Sequence, residues 1–410
     1  MALIVQKYGG TSVGSIEKIR AVAEKVIASH KAGNQMVVVL SAMAGRTDAL
    51  IKLAMEMTDD PDPRELDVLM STGEQVSVAL FAMAVKAKGY DARSLLGFQV
   101  AIHTDHLYGK AKIQDIDKAR IMWDLEQNRI VTVAGFQGLD EHGDITTLGR
   151  GGSDTTAVAL AAALDADVCE IFTDVDGVYT TDPNVCPKAR KMDVIAYEEM
   201  LEMASLGAKV LEIRAVEFAM KFNVPIHVRS TFKDERGTMV VAETKDMEKV
   251  AVSGVTYNKN EARVTIKKVP DQPGTASKIF DPIFKSGIVV DMILQNTSED
   301  GLTDLTFTVP KSDFYKTMKL VSQVAEAIGA EKVLGDEDIA KVSIIGVGMR
   351  THAGVAKQMF EALADENINI MMISTSEIKI SCVIEEKYTE LAVRTLHTVF
   401  GLNDDAAVPE

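Results

Sequence analysis

Three short stretches of this chain carry residue types suited to holding phosphate beside a small anion. The first is Lys7-Tyr8-Gly9-Gly10-Thr11-Ser12, directly after the apolar run Ala2-Leu3-Ile4-Val5. A strand that runs into a glycine turn and then a helix leaves backbone N–H groups free to hold phosphate. The ammonium beside them would meet a transferring phosphoryl group. No Gly-Lys-Thr/Ser follows, so this is not a Walker A loop. The second stretch, Leu148-Gly149-Arg150-Gly151-Gly152-Ser153-Asp154, sets three glycines around an arginine at a helix start. Such a loop suits an anion, Arg150 suits a carboxylate held by two parallel hydrogen bonds, and Ser153 or Asp154 could cap the helix that follows. The third, Thr173-Asp174-Val175-Asp176-Gly177-Val178-Tyr179, ends an apolar strand, where ligands bind in open α/β sheets. Ser71-Thr72-Gly73-Glu74 interrupts a helical stretch and offers a carboxylate to an ammonium group, and Gly207-Ala208-Lys209 offers a second phosphate lysine. Taken singly, each is as readily an ordinary turn, a helix cap or a solvated side chain; their joint occurrence in this order is the stronger signal.

The elements that must position these residues follow from periodicity. Ile16, Ile19, Val22, Ala23, Val26 and Ile27 have helical spacing, as does Arg64 to Lys88 apart from its Ser-Thr-Gly interruption. Met36 to Leu40, Ile130 to Ala134, Val168 to Thr173 and Val224 to Val228 are apolar runs of strand length, and Asp154 to Leu164 is an alanine-rich helix. Continuous apolar strands alternating with helices mean a mostly parallel sheet covered on both faces, filling residues 1 to about 230. Phe232 to Lys249 is charged and reads as a linker. Beyond it the chain repeats itself: Gly274 and Gly354 stand 80 residues apart, as do Asp291-Met292-Ile293 and Met371-Met372-Ile373. Each copy runs strand (264–266; 342–344), glycine turn, helix (275–285; 355–364), strand (288–293; 368–373), strand (302–309; 377–384), helix (312–328; 387–400). This is a βαββαβ, ferredoxin-like plan.

Length and composition bound the rest. At 410 residues the chain should hold two or three domains, and an apolar fraction of 47% suffices for sizeable cores. A net charge of −16 argues against nucleic acid or an anionic membrane as partner. Cys169, Cys186 and Cys382 form no C-x-x-C pair and have no His cluster nearby, which argues against structural zinc and against a disulfide framework. No signal peptide and no run of 18 apolar residues is visible, so the expectation is a soluble cytoplasmic protein.

Together these motifs resemble the amino-acid kinase superfamily and, within it, the aspartate kinases. Residues 7–12 look like the family's K-[FY]-G-G-[ST]-S signature, and Ser41-Ala42-Met43, 71–74, 149–154, 173–179 and Gly207-Ala208-Lys209-Val210-Leu211 look like its other motifs. The C-terminal repeat resembles the paired ACT domains of that family. The resemblance implies an α/β amino-acid-kinase fold over 1–245, a first ACT domain over 246–335 and a second over 336–410. It implies magnesium-dependent transfer of the γ-phosphoryl of ATP to the side-chain carboxylate of L-aspartate, the first step towards lysine, threonine and methionine. Lys7 and Asp154 would be the catalytic pair. Thr47, Glu74, Arg150 and Ser153 would bind aspartate, and Lys7, Gly9, Gly10, Ser41, Thr173, Asp174, Tyr179 and Lys209 would bind nucleotide. Mg²⁺ would ride on ATP, with no metal site of the protein's own. Where many relatives read Asp-Pro-Arg, this chain reads Asp182-Pro183-Asn184, so ATP affinity should be weaker or be made up by Lys188 or Arg190.

The same resemblance implies feedback by lysine, threonine or both at the ACT pair. Asp271, Pro273, Gly274, Thr275, Ala276 and Gln295 match effector positions of the first unit, and Asn369, Ile370, Ser374, Thr375 and Glu377 those of the second. Ala353 replaces a proline common in relatives, which should loosen its loop. The expected assembly is a homodimer through the ACT domains, or α₂β₂ if Met247 starts a separate regulatory subunit. Two other readings stay open at this point: another kinase of the superfamily, for glutamate or uridylate, and an amino-acid sensor without turnover.

Overall fold

The computed structural model describes residues 1–206, 210–245, 247, 250–296 and 301–403. The chain forms two compact units, Met1–Tyr179 with Lys191–Met247, and Thr180–Arg190 with Glu248–Glu410.

The first unit is built on an eight-stranded sheet. In chain order its elements are β1 (Leu3–Tyr8), α1 (Ile16–Lys31), β2 (Gln35–Leu40), α2 (Arg46–Met57), α3 (Pro63–Ala87), β3 (Ala92–Leu95), β4 (Ile102–Thr104), β5 (Ile113–Ile116), α4 (Ala119–Glu126), β6 (Ile130–Ala134), β7 (Gln137–Leu139), β8 (Ile145–Thr147), α5 (Gly152–Leu164), β9 (Val168–Thr173), β10 (Val194–Ala196), α6 (Tyr197–Ser205), α7 (Ile213–Phe222), β11 (Ile226–Ser230) and β12 (Thr238–Val241). The sheet order is β10-β12-β11-β9-β1-β2-β6-β3; the run from β11 to β3 is parallel, and β12 is antiparallel to β11. A smaller sheet, β5-β4-β7-β8, lies beside it.

Alternation along the strands decides which side chains meet which layer. Tyr8, Met36, Val38, Leu40 and Phe172 share an apolar core with Ile19, Val22 and Val26 of α1 and Val78, Phe81 and Val85 of α3. Val5 and Lys7 point the other way, to the face on which α5 packs across β1, β2 and β9. Because the central strands are parallel, the turns after β1, β2, β6, β9 and β11 all emerge along one edge.

Two expectations change here. The helix over 63–87 is continuous through Ser71-Thr72-Gly73, because the Ser71 and Thr72 hydroxyls bond back to the carbonyls of Val68 and Leu69 instead of breaking it. It is long and apolar enough to cross a membrane by composition, but its apolar half is spent on the core just described. The charged stretch 232–249 is not only a linker: Thr238–Val241 is strand β12, with Thr238 and Val240 buried.

The second unit is one six-stranded antiparallel sheet. Its elements are β13 (Gly254–Pro270), α8 (Thr275–Lys285), β14 (Ile293–Gln295), β15 (Leu302–Pro310), α9 (Phe314–Ile328), β16 (Lys332–Ile345), α10 (Val355–Asp365), β17 (Met372–Thr375), β18 (Lys379–Glu385) and α11 (Thr389–Val399), in the sheet order β14-β15-β13-β16-β18-β17. Among the described residues, two larger apolar cores and a small cluster lie along it: one core gathers Val264, Ile266, Ile279, Ile283, Phe307 and Val321, the other Val342, Ile344, Met359, Leu363, Cys382, Val393 and Leu396, and the cluster Met292, Ile339, Met372 and Val383.

The expected division at 335/336 is crossed in both directions. Glu261–Pro270 and Lys332–Asp336 serve the first repeat, whereas Gly254–Asn258 pairs with Val342–Ile345 and supplies the second repeat with its outer strand. The second ferredoxin-like plan is therefore closed by a segment that precedes the first. The catalytic span 1–245 is also interrupted: Val185 joins the second core, and Asp182 accepts the Tyr257 hydroxyl at 3.0 Å. Buried His397 bonds Thr180 Oγ1 at 2.8 Å and Asn403 at 2.7 Å.

Candidate active site

The turn after β1 is built for close approach. A side chain at Gly10 would press on the Ala42 carbonyl at 2.8 Å, and the Gly10 carbonyl accepts the Ala44 N–H, so the turns after β1 and β2 are laced together. Ser41 opens the second turn, its N–H held by the Tyr8 carbonyl. Lys7, at the end of β1, reaches across to α5, where its ammonium pairs with Asp154 at 2.5 Å. Both side chains are nearly buried, at 12% and 11% exposure, so the pair is shielded from water and its geometry is firm. Gly9 lies beneath, with Cβ space only 3.5 Å from the Lys7 nitrogen.

Helix α5 begins at Gly152, with Gly151 in the left-handed conformation (φ +61°) as its cap. Ser153 and Asp154 are thus inside the first turn rather than capping it, which frees Asp154 for Lys7. Gly151 must be glycine for a second reason: a Cβ there would collide with Glu212. Arg150 is exposed on the same turn. The Leu148 carbonyl before it is held by Arg214 at 2.5 Å, so the loop that presents Arg150 is fixed at its base.

Glu74 lies on the inward face of α3, 3% exposed. One carboxylate oxygen accepts the Ala42 N–H at 3.0 Å, and the other is buried with no hydrogen-bond partner. Burial pushes its pKa up to about 7, against the opposing effect of the Ala42 bond. A buried oxygen with an empty lone pair is costly unless a donor arrives, which suits a ligand ammonium. Gly73 next to it leaves room for Ala42, whose Cβ would be 2.8 Å from a side chain there. Thr47 stands half-buried in the first turn of α2.

The turn after β9 begins with Thr173, whose hydroxyl bonds Asp174, and ends with Tyr179, whose hydroxyl donates to Asp176 at 2.9 Å. Asp174 is exposed. Three participants here, Lys233, Thr231 and Thr238, were missed by the sequence reading. Lys233 pairs with Asp176 at 2.9 Å, Thr231 N–H bonds the Thr173 carbonyl, Ser12 and Thr231 share a hydroxyl bond of 2.6 Å, and Thr238 accepts the Val178 N–H. Burial alone would lift Asp176, but the bonds from Lys233 and Tyr179 bring it below the ordinary carboxylate range. The signal was present as Ser230-Thr231 at the end of an apolar strand run, while Lys233 and Thr238 were hidden inside the charge-rich stretch read as linker. Lys209 lies outside the described residues. Asn184 folds back on Asp182, Arg190 donates to the Leu402 carbonyl, and Lys188 is exposed, all in the second unit.

The effector positions do not converge within one chain. Gln295 is on β14 and Ser374 and Thr375 on β17, the two opposite edges of the six-stranded sheet. Asp271, Pro273 and Gly274 are exposed on the turn before α8, with Thr275 and Ala276 in its first turn; Asn369 and Ile370 precede β17. Glu377 is 85% exposed and 3.6 Å from Arg350. Gly354 has the same left-handed conformation as Gly274 (φ +94° and +90°), and His352 bonds the Gly348 carbonyl at 2.7 Å, so the loop is held despite Ala353.

The chain matches the Amino acid kinase family over residues 2–230 and the ACT domain twice, over 263–326 and 342–400. It is 60% identical to an aspartate kinase of Pseudomonas putida over 99% of both chains, and 50% identical to an aspartokinase of Mycolicibacterium smegmatis over 100% of this chain and 98% of the relative. Its structure is similar to that of E. coli aspartokinase III in complex with aspartate and ADP (R-state), with a TM-score of 0.79 and 28% identity over 97% and 99% of the two chains. It is equally similar to the same enzyme with lysine and aspartate (T-state), with a TM-score of 0.80 and 27% identity. With a parallel sheet ending in a glycine-lined lysine–aspartate pair, two ACT domains and relatives alike over their whole length, the chain belongs to the amino acid kinase family, among the aspartate kinases.

Proposed function

We propose that this enzyme transfers the γ-phosphoryl of ATP to the side-chain carboxylate of L-aspartate through the groups gathered after β1, β2 and β9. The observation that carries the assignment is the shielded Lys7–Asp154 pair beside Gly9 and Gly10. The aspartate carboxylate has an ordinary pKa of about 3.9 and is already ionised at neutral pH, so no general base is required. The barrier lies in bringing two anions together and keeping them in line. One carboxylate oxygen bonds to the γ-phosphorus, the bond to the bridging oxygen breaks, and ADP leaves with that electron pair.

In this reading Lys7 carries the charge that grows on the transferring phosphoryl oxygens, and Asp154 aims it. Backbone N–H groups of Gly9 and Gly10, with Ser41, hold phosphate. Arg150 takes the α-carboxylate in a bidentate grip, the orphaned oxygen of Glu74 takes the α-ammonium, and Thr47 and Ser153 border the substrate. Thr173, Asp174 and Tyr179 hold nucleotide, with Lys209 on its phosphates. Magnesium, carried in on ATP, would offset the phosphate charge.

The regulatory part of the reading is feedback by lysine, threonine or both at the ACT domains, with Asp271 and Glu377 receiving the effector ammonium. It is supported by the two ACT matches and by the lysine complex of the E. coli relative. The placement of Gln295 and Thr375 on opposite sheet edges favours sites completed by a second copy, in a homodimer or an α₂β₂ assembly. The reaction would open the route to lysine, threonine and methionine, in the cytoplasm, where the buried, unpaired Cys169, Cys186 and Cys382 stay reduced.

The test is ATP- and Mg²⁺-dependent acyl-phosphate formation, trapped as the hydroxamate, on aspartate, glutamate and uridylate, without effector and with lysine, threonine or both. Turnover on aspartate alone and inhibition in one effector condition are expected. Turnover on another acceptor, or amino-acid binding without turnover, would overturn the reading.

A further inference from the structure

Asp67 is fully buried on α3, two helical turns before Glu74 on the same inward face. Its carboxylate sits at a junction of three segments. One oxygen accepts the Thr147 hydroxyl at 2.7 Å, the other accepts the Thr147 N–H at 2.7 Å, and both lie within 3.1 Å of the Gly109 N–H. All these donors are neutral, so the position commits a buried charge to holding backbone rather than to an ion pair, a costly arrangement.

What it holds leads to the site. Thr147 ends β8, and Leu148-Gly149-Arg150 follows directly. Gly109 packs its carbonyl against Gly149, where a Cβ would approach to 2.9 Å, and the Ala111 N–H bonds the Thr147 carbonyl. Arg214 closes the lacing by donating to Leu148 and Ala111 together. The loop bearing Arg150 is thus fastened to the helix bearing Glu74, and Asp67 is the fastener.

We propose that Asp67 is a positioning residue that sets the spacing between Arg150 and Glu74, and thereby the grip on the two α-substituents of the amino-acid substrate. This rests on the roles given to Arg150 and Glu74 above. Asp67 touches no substrate and acts through the Thr147–Arg150 segment. An asparagine in its place can keep the Thr147 and Gly109 N–H bonds on its amide oxygen, but it sets an NH₂ against the Thr147 hydroxyl, which must turn to accept, and it removes the charge that strengthens these bonds, loosening the hold of α3 on the Arg150 loop.

The experiment compares the full-length enzyme with Asp67→Asn, Thr147→Val and Arg150→Ala, measuring kcat, the KM for aspartate and the KM for ATP, with thermal melting alongside. Asp67→Asn should raise the KM for aspartate about 10-fold and leave the KM for ATP within about 2-fold, while Thr147→Val, losing only the hydroxyl bond, should raise it about 3-fold. Arg150→Ala should raise the KM for aspartate more than either. A large Arg150→Ala effect with unchanged aspartate KM in both other variants overturns the positioning role alone. An unchanged aspartate KM in Arg150→Ala overturns the reading on which it rests. Equal rises in both KM values for Asp67→Asn would mean general loosening and also overturn the proposal. If Asp67→Asn does not fold, Thr147→Val decides by the same criterion.

Discussion

Lys7 and Asp154 come from distant parts of the first unit yet meet at 2.5 Å, while Gln295 and Thr375, equivalent strand residues of two repeats in the second unit, finish on opposite edges of one sheet. The five strand spacings between those edges amount to about 24 Å. The contrast follows from strand direction. A parallel sheet delivers the turn after each strand to the same edge, so residues from β1, β2, β9 and α5 converge within one chain. Two antiparallel ferredoxin-like plans joined through their first strands place their equivalent strands as far apart as the sheet allows. Lys7 and Asp154 therefore meet within one chain, whereas Gln295 and Thr375 stay apart in it.

The largest expected effect tests the Lys7–Asp154 pair. Lys7→Ala should lower kcat about 1,000-fold, the scale of removing one preorganised charge donor, while the fold and aspartate binding persist. Wild-type turnover in that variant would remove Lys7 from the transition state.

Glu74 gives the next effect and a pH signature. Its carboxyl is held up at about 7, so it must be ionised to receive an ammonium, and the KM for aspartate should rise as pH falls through about 7. Glu74→Gln should raise that KM about 10- to 100-fold and abolish this acid limb. The sign for stability is opposite. An acid whose folded pKa is raised contributes stability below its unfolded value, and that contribution is lost as pH rises through 4.5 to 7. Glu74→Gln should therefore melt higher than wild type at pH 8, which calorimetry would check, by about 1–3 kcal/mol.

The regulatory half of the comparison can be broken by complementation. Gln295→Ala and Glu377→Ala should each lose feedback with kcat altered by less than about 2-fold, both residues being exposed on the second unit. Co-expressed as a mixed assembly, the two variants should recover part of the inhibition if a site takes one repeat from each copy. No recovery would mean each chain builds its own.

The smallest effect concerns Thr180–Arg190. Burial lowers the pKa of His397, which stands against Thr180 and Asn403. A histidine kept neutral in the folded state costs stability once the unfolded chain protonates, so unit 2 should weaken as pH falls below about 6.5, by about 1 kcal/mol or less. Chemical denaturation of wild type and His397→Gln from pH 8 to 5.5 should show the slope in wild type alone.

Local signals made much of this legible. The buried positions of α1 (Ile19, Val22, Ala23, Val26, Ile27) have the helical spacing that names them, and β9 spans the apolar run Val168–Thr173. The glycines at 10, 149 and 151 mark close approaches that only a residue without Cβ can make. What escaped reading were acts of distant packing. Lys233 and Thr238 sat in a charged run whose function depends on Asp176 and Val178 being brought alongside. Asp67, in the middle of a helical stretch, gave no local signal; its role rests on Gly109 and Thr147 meeting it in the fold.

By itself, the order of residues determined the family and many of the elements, because turns, caps and periodicity are encoded within a few neighbouring positions. Only the tertiary structure decided that Thr180–Arg190 folds with the regulatory unit, that Gly254–Asn258 closes the second repeat rather than opening the first, and that Glu74 keeps one buried oxygen unpaired. Those outcomes depend on which apolar surfaces and polar partners meet across long stretches of chain, and burial, unlike periodicity, is a property of the assembled molecule.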